Sequence, residues 1–213
     1  MTLIDGKRGY SLCPHCRSIV DNSGSQMQCL DFPCPICGKV RSAEQLPTGW
    51  PDIPTQLMID FCCDHELTSY KEQLVVVVLA CTTAEMLLER LNARLLMPPY
   101  RIAAKHFEII TNSFEGRQRM LELFKKLANR SFAEVLTEIA ESGFYGEWDR
   151  LAKIRNKFLH GNLIVGDIDF PDFRAVLEQF RHALGPTFVK VNNQLFATPK
   201  GREDFPEASD RGQ

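Results

Sequence analysis

Apolar positions recur at helical spacing over most of the chain after residue 60. Val77, Ala80, Ala84, Leu87, Leu88, Leu91 and Leu95 repeat every three to four residues, which predicts a first helix from about Glu66 to Met97, ending before Pro98-Pro99. The run Val75 to Val78 has strand propensity, but the length of the periodic segment favours a helix. A second helical region covers roughly Tyr100 to Ile110. A third spans Gly116 to Ala128, with Met120, Leu121, Phe124 and Leu127 on one side. Ser131 followed by Glu134 reads as a capping box and opens a fourth helix that ends near Ser142-Gly143. A fifth runs from about Tyr145 to His160, with Gly161 as the C′ residue. A sixth, Phe173 to Leu184, stops at Gly185-Pro186. Thr187 to Val191 and Gln194 to Ala197 then flank Asn192-Asn193 as a hairpin signal. Several amphipathic helices with short connections predict a mainly α fold, a helical bundle.

Residues 1–50 show no such periodicity. Cys13-Pro14-His15-Cys16 and Cys34-Pro35-Ile36-Cys37-Gly38 form C-x2-C, seventeen residues, C-x2-C. Two thiolates separated by two residues in a tight turn can approach one ion, and two such turns supply the four soft ligands of a tetrahedral zinc. Cys13, Cys16, Cys34 and Cys37 are therefore expected to hold a structural Zn2+ in a small β-type zinc ribbon. With no open coordination position, such a site folds a module rather than catalysing. The ribbon is either a platform for nucleic acid or a partner, or a domain that only holds itself together. Cys29 and His15 are not expected to be ligands. Cys62-Cys63 reads as a helix start with thiols acting as small hydrophobes, and Cys81 as core. The stretch Leu46 to Pro54 carries three prolines and a glycine. The expected organisation is a zinc ribbon at 1–50, a linker at 51–60, a helical domain at 61–200 and a disordered tail at 201–213.

The 213 residues are 44% hydrophobic and 24% charged, with net charge −2, as in a soluble globular protein without a global field for polyanions. Met1 to Tyr10 is polar and no apolar run is long enough to span a bilayer, so the expected location is cytoplasmic, away from membranes. Charge is locally basic at 117–130 and at 150–160, where no acid follows Asp149. Such runs are commonly solvated helix faces.

One residue breaks the helical pattern. On a helix over 148–160, Trp148, Leu151, Ala152, Ile154, Phe158 and Leu159 share one face, and Arg155 projects from the middle of it. A guanidinium there must be paired or face a cleft. Glu85, at the edge of the first helix's apolar face, is the natural structural partner, with Glu89 the next choice. Asn156 and His160 lie one turn apart on the flank. Histidine and lysine near a helix end also interact with its dipole, which explains Lys157 and His160 without chemistry.

Arg155-Asn156-x-x-x-His160 resembles the R-x4–6-H motif of the HEPN (higher eukaryotes and prokaryotes nucleotide-binding) superfamily of small helical bundles, over about residues 60–185. The acidic-centred first helix, Ala84-Glu85-Met86-Leu87-Leu88, is in keeping with it. The resemblance implies a homodimer in which two motifs face one cleft. It also implies a metal-independent endoribonuclease of toxin, defence or RNA-processing systems, with an antitoxin or other protein partner. Other members have lost catalysis and bind RNA, nucleotides or proteins. In the catalytic case His160 would act as base or acid and Arg155 would hold the phosphate charge. Asn156 would orient His160 or the substrate, Glu85 would complete the site, and Lys153 and Lys157 would steer the RNA backbone.

Overall fold

A computed structural model describes residues 10–13, 15–21, 33–40, 48–100, 116–164 and 172–196. The segments 101–110 and 201–213, expected to be a helix and a tail, lie outside the described residues.

Three short strands form one antiparallel sheet: β1 (Tyr10–Leu12), β2 (Ile19–Asp21) and β3 (Thr48–Trp50), in the order β2-β1-β3. Ser11 faces Val20 on one side and Gly49 on the other. Six helices follow. They are α1 (Ile53–Asp64), α2 (Tyr70–Tyr100), α3 (Arg117–Ala128), α4 (Phe132–Glu138), α5 (Ser142–Leu159) and α6 (Phe173–Phe196). The fold is mainly helical, as expected.

The central element is α2, which packs against α1, α3, α5 and α6. Its start follows from Ser69-x-x-Glu72, a second capping box: Ser69 N donates to Glu72 Oε2 at 2.8 Å and Glu72 N to Ser69 Oγ at 3.3 Å. Of its valines, Val76 and Val77 are fully buried while Val75 is exposed, so burial of the inner pair overrides their strand propensity. Phe132, Phe144, Trp148, Phe180 and Phe188 fill the space where α4, α5 and α6 meet. Phe144 stacks on Phe180 at 4.9 Å between ring centroids, and Phe124 meets Phe132 edge-on at 5.4 Å. Ser131 and Glu134 make both bonds of the expected capping box.

Three expectations are corrected. The segment 51–60, read as a linker, is mostly helix α1. Asp52 caps it by accepting from Thr55 N at 3.1 Å, and Pro54 stands in the first turn, where its missing N–H costs nothing. Cys62-Cys63 therefore ends a helix rather than starting one, though Cys62 is fully buried as a small hydrophobe. The hairpin around Asn192-Asn193 is instead the last part of α6, which continues through Gly185-Pro186 to Phe196. A proline removes one helical hydrogen bond. The burial of Leu184, Phe188, Val191 and Leu195 on one face offsets that loss.

Candidate functional site

The two regions singled out by sequence are built differently. At the cysteine site, Cys13 and Cys16 bracket a turn closed by Arg17 N to Cys13 O at 3.0 Å, with Arg17 in the left-handed region (φ 59). Cys34 and Cys37 bracket a second turn closed by Gly38 N to Cys34 O at 2.8 Å, with Gly38 at φ 71. A positive φ is the conformation that glycine takes without strain. All four Sγ atoms lie within 4.8 Å of one another, with Cys13 to Cys37 at 3.9 Å and Cys16 to Cys34 at 3.8 Å, and none is in a disulfide. Four sulfurs bound tetrahedrally at about 2.3 Å from zinc stand about 3.8 Å apart, so the set fits such an ion. The same set accepts other thiophilic divalent metals.

Burial and hydrogen bonding act unequally on these thiols. Burial pushes the Cys13 thiol up to about 12. Burial also acts on Cys34, but backbone N–H groups of Cys37 and Ile36 and bonds from Cys13 and Ser18 outweigh it and bring that thiol down to about 7. His15 bonds Val40 O at 3.1 Å and is not part of the ligand set.

The second region is the end of α5. Glu85 on α2 and Arg155 on α5 form an ion pair at 2.8 Å, with side chains 19% and 13% exposed. Arg155 Nε and one terminal nitrogen also donate to Asn156 Oδ1, each at 3.2 Å. The structure therefore brings Glu85, Arg155 and Asn156 together. Glu89, the other acidic candidate, is not in the pair.

The helix ends in a Schellman motif. Gly161 N donates to Phe158 O at 3.1 Å, Asn162 N to Lys157 O at 2.8 Å, and Gly161 has φ 69. His160 is the cap residue, and its backbone N–H bonds Asn156 O. The His160 ring is exposed and makes no hydrogen bond or ion pair among the described residues.

The apolar stripe is shorter than expected. Burial on α5 stops at Ile154, whereas Phe158 and Leu159 are 41% and 60% exposed, and Ile164 beyond the helix is 71% exposed. Arg155 thus stands at the border of the core rather than inside it. The periodicity of the sequence continues past the point where neighbouring helices stop covering the face.

The basic runs are also altered by folding. Asp149 accepts from Arg117 at 2.6 Å and from Lys153 at 2.8 Å, which hold its carboxyl below the usual range. Arg150 meets Asp172 at 3.3 Å, and Arg130 meets Glu138 at 2.7 Å. Lys153 and Lys157 are exposed on the same helix. Glu85 on α2, Asp149 on α5 and Asp172 just before α6 thus neutralise much of the 150–160 run, which has no acid of its own.

Sequence reasoning missed Arg181 on α6. Its side chain is only 8% exposed and donates to Cys62 O at 2.8 Å, His65 O at 2.5 Å and Glu178 at 2.6 Å. It ties the open C-terminus of α1 to α6. The carbonyls it serves belong to a helix the sequence did not reveal, so no signal marked it. A groove lined by His65, Glu66, Thr68, Arg174 and Glu178 lies over this tie.

No helix among the described residues is long and apolar enough to cross a membrane. Comparison with family models, with curated proteins and with solved structures finds no match to the chain.

Proposed function

We propose that this chain is a HEPN-type, metal-independent endoribonuclease that works as a homodimer, with an ion in the N-terminal cysteine site serving structure only. The observation that supports it is the end of α5. There a largely buried arginine fork, held from behind by Glu85 and Asn156, lies within two turns of an exposed histidine. Phe158, Leu159 and Ile164 surround that histidine in sequence and are bare in a single chain. Apolar surface next to polar groups is what a self-complementary interface covers. In this reading His160 of one protomer takes the proton from the RNA 2′-hydroxyl, whose oxygen attacks the adjacent phosphorus. His160 of the partner subunit gives a proton to the departing 5′-oxygen. Arg155 stabilises the charge on the phosphorane oxygens, and Glu85 keeps its fork in plane. Lys153 and Lys157 steer the RNA backbone, and the expected setting is a cytoplasmic toxin, defence or RNA-processing system with a possible protein inhibitor as partner.

The Glu85–Arg155 pair itself favours a second reading, a non-catalytic module that binds RNA, a nucleotide or a protein. The carboxylate cancels charge that a phosphorane would otherwise meet, and Arg155 locked to Glu85 is also what a purely structural bundle predicts. One experiment separates the two: incubation of the pure chain with single-stranded RNA in EDTA, beside His160→Ala. The expected result is cleavage by the parent chain and none by the variant, with Tm unchanged. Binding without cleavage, or equal cleavage by the variant, sinks the enzymatic reading.

A further inference from the structure

The cysteine turn was expected to be a separate module, yet its backbone is gripped by the helical bundle. Asn193 on α6 pairs with Ile19 as a neighbouring strand would: its Oδ1 accepts from Ile19 N at 2.7 Å and its Nδ2 donates to Ile19 O at 2.9 Å. Arg17 O accepts from Arg94 on α2 at 2.6 Å and from Asn192 Nδ2 at 3.3 Å. In return, the Arg17 side chain donates to Arg94 O at 2.9 Å. Both guanidiniums lie over the Phe196 ring, at 4.3 and 4.8 Å from its centroid. Arg94 also donates to Asn192 Oδ1. Ile19 itself is 1% exposed and belongs to the same apolar core as Leu91, Leu95 and Leu195.

The atoms being gripped are those whose positions the metal turn sets. Arg17 directly follows the ligand Cys16, and Cys13 N bonds Ser18 O at 2.8 Å. The left-handed Arg17 that turns the chain back toward Cys13 also aims the Arg17 carbonyl at α2 and α6. If the four sulfurs lose their common ion, residues 15–19 keep only the bonds within the turn, the pairing with β1 and the grip itself, and their shape loosens. Arg94, Asn192 and Asn193 then lose their acceptors and donors in a place sheltered from water, which is costly.

We infer that the cysteine site is a metal-dependent clamp on the C-terminal ends of α2 and α6, so that metal occupancy and the order of those helix ends form one linked equilibrium. Linkage is reciprocal: whatever weakens the grip weakens metal binding by the same factor. The clamp does not depend on the ribonuclease reading, and its test needs no activity.

The test uses the full chain with Zn(II). Zinc content is followed with a colorimetric chelator, helix content by far-UV circular dichroism during heating, and local order by hydrogen exchange. Stripping zinc from the parent chain should lower the Tm of the main helical transition and speed exchange at 90–96 and 188–196, leaving α4 and the middle of α5 protected. Asn193→Ala should raise the zinc dissociation constant about tenfold, as expected for losing two sheltered hydrogen bonds. If stripped protein melts at the same temperature with the same exchange at 188–196, the clamp is wrong. It is equally wrong if Asn193→Ala holds zinc as tightly as its parent, or if the chain binds no zinc. The chelation arm needs no substitution, so a variant that failed to fold would not shield the idea.

Discussion

Arg155 and Arg181 are both largely buried arginines on helices, both paired to a glutamate, and they do different things. Arg181 satisfies two backbone carbonyls of α1 and reaches Glu178 on its own helix. Arg155 is held by side chains alone, Glu85 from α2 and its neighbour Asn156. Carbonyls at a helix end cannot turn away without unwinding the helix, whereas carboxylate and amide partners can rotate. Arg181 is therefore a rivet, and Arg155 a held but exchangeable group beside an exposed histidine. A guanidinium on a buried face does not by itself indicate chemistry. The mobility of its partners and the exposure around it decide which kind it is.

The strongest way to break this comparison is Arg181→Met. It strands Cys62 O and His65 O and should cost about 3 kcal/mol in urea unfolding. A loss below about 1 kcal/mol would show that α1 ends do not need the tie. Next comes the double-mutant cycle of Arg155→Met with Glu85→Gln. A coupling of about 1 kcal/mol is expected, because the pair is partly exposed and its partner can move. A coupling as large as the whole Arg181 effect would make Arg155 a second rivet and remove the basis for its catalytic role. Gly161→Ala tests whether the α5 end is held by its cap. At φ 69 the added Cβ is strained, and about 1 kcal/mol should be lost. Wild-type thermal stability in that variant would mean the Schellman turn is incidental.

The smallest effect concerns two glutamates and carries opposite signs. Arg181 holds the Glu178 carboxyl below its ordinary value, with His182 helping. That contribution is present above the unfolded pKa and is lost as pH falls through the lower folded value. Burial, aided by Glu141, pushes Glu147 on α5 above its ordinary 4.5. That contribution is present below the unfolded pKa and is lost as pH rises through the higher folded value. At pH 7 Glu178→Gln should therefore destabilise and Glu147→Gln stabilise, each by less than about 0.5 kcal/mol after solvent screening. Both differences should vanish in acid, where each carboxyl is protonated. Melting curves across pH with the same sign for both variants would contradict this.

Local chemistry was legible wherever its partners are close in sequence. The C-x2-C spacing located four sulfurs that do converge, Ser131-x-x-Glu134 marked a real cap, and Gly161 closes α5 as its position suggested. Glu85 could be nominated for Arg155 because it borders the apolar face of one clearly periodic helix while Arg155 interrupts that of another. What failed was punctuation. The prolines at 47, 51 and 54 looked like a linker, although Asp52 followed by an early proline is also how a helix begins. Gly185-Pro186 and Asn192-Asn193 looked like a stop and a turn. The two asparagine amides instead bond the backbone of Arg17 and Ile19, partners that meet them only in three dimensions. The burial limit at Ile154 was equally hidden, because periodicity says which face is apolar and not how far a neighbour covers it.

The grip of Asn193 on Ile19 has a consequence for vectorial synthesis. The two residues are 174 apart in sequence. A chain emerging in order from the ribosome exposes its cysteine turns first and the last turns of α6 only after every other described helix. Closing a loop of that size costs roughly 4–5 kcal/mol of chain entropy, recovered only when the last helix lands. Until then the early cysteines face the cell's thiols and metals with only α2 and the small sheet behind them, so the molecule begins and finishes its assembly at the same place.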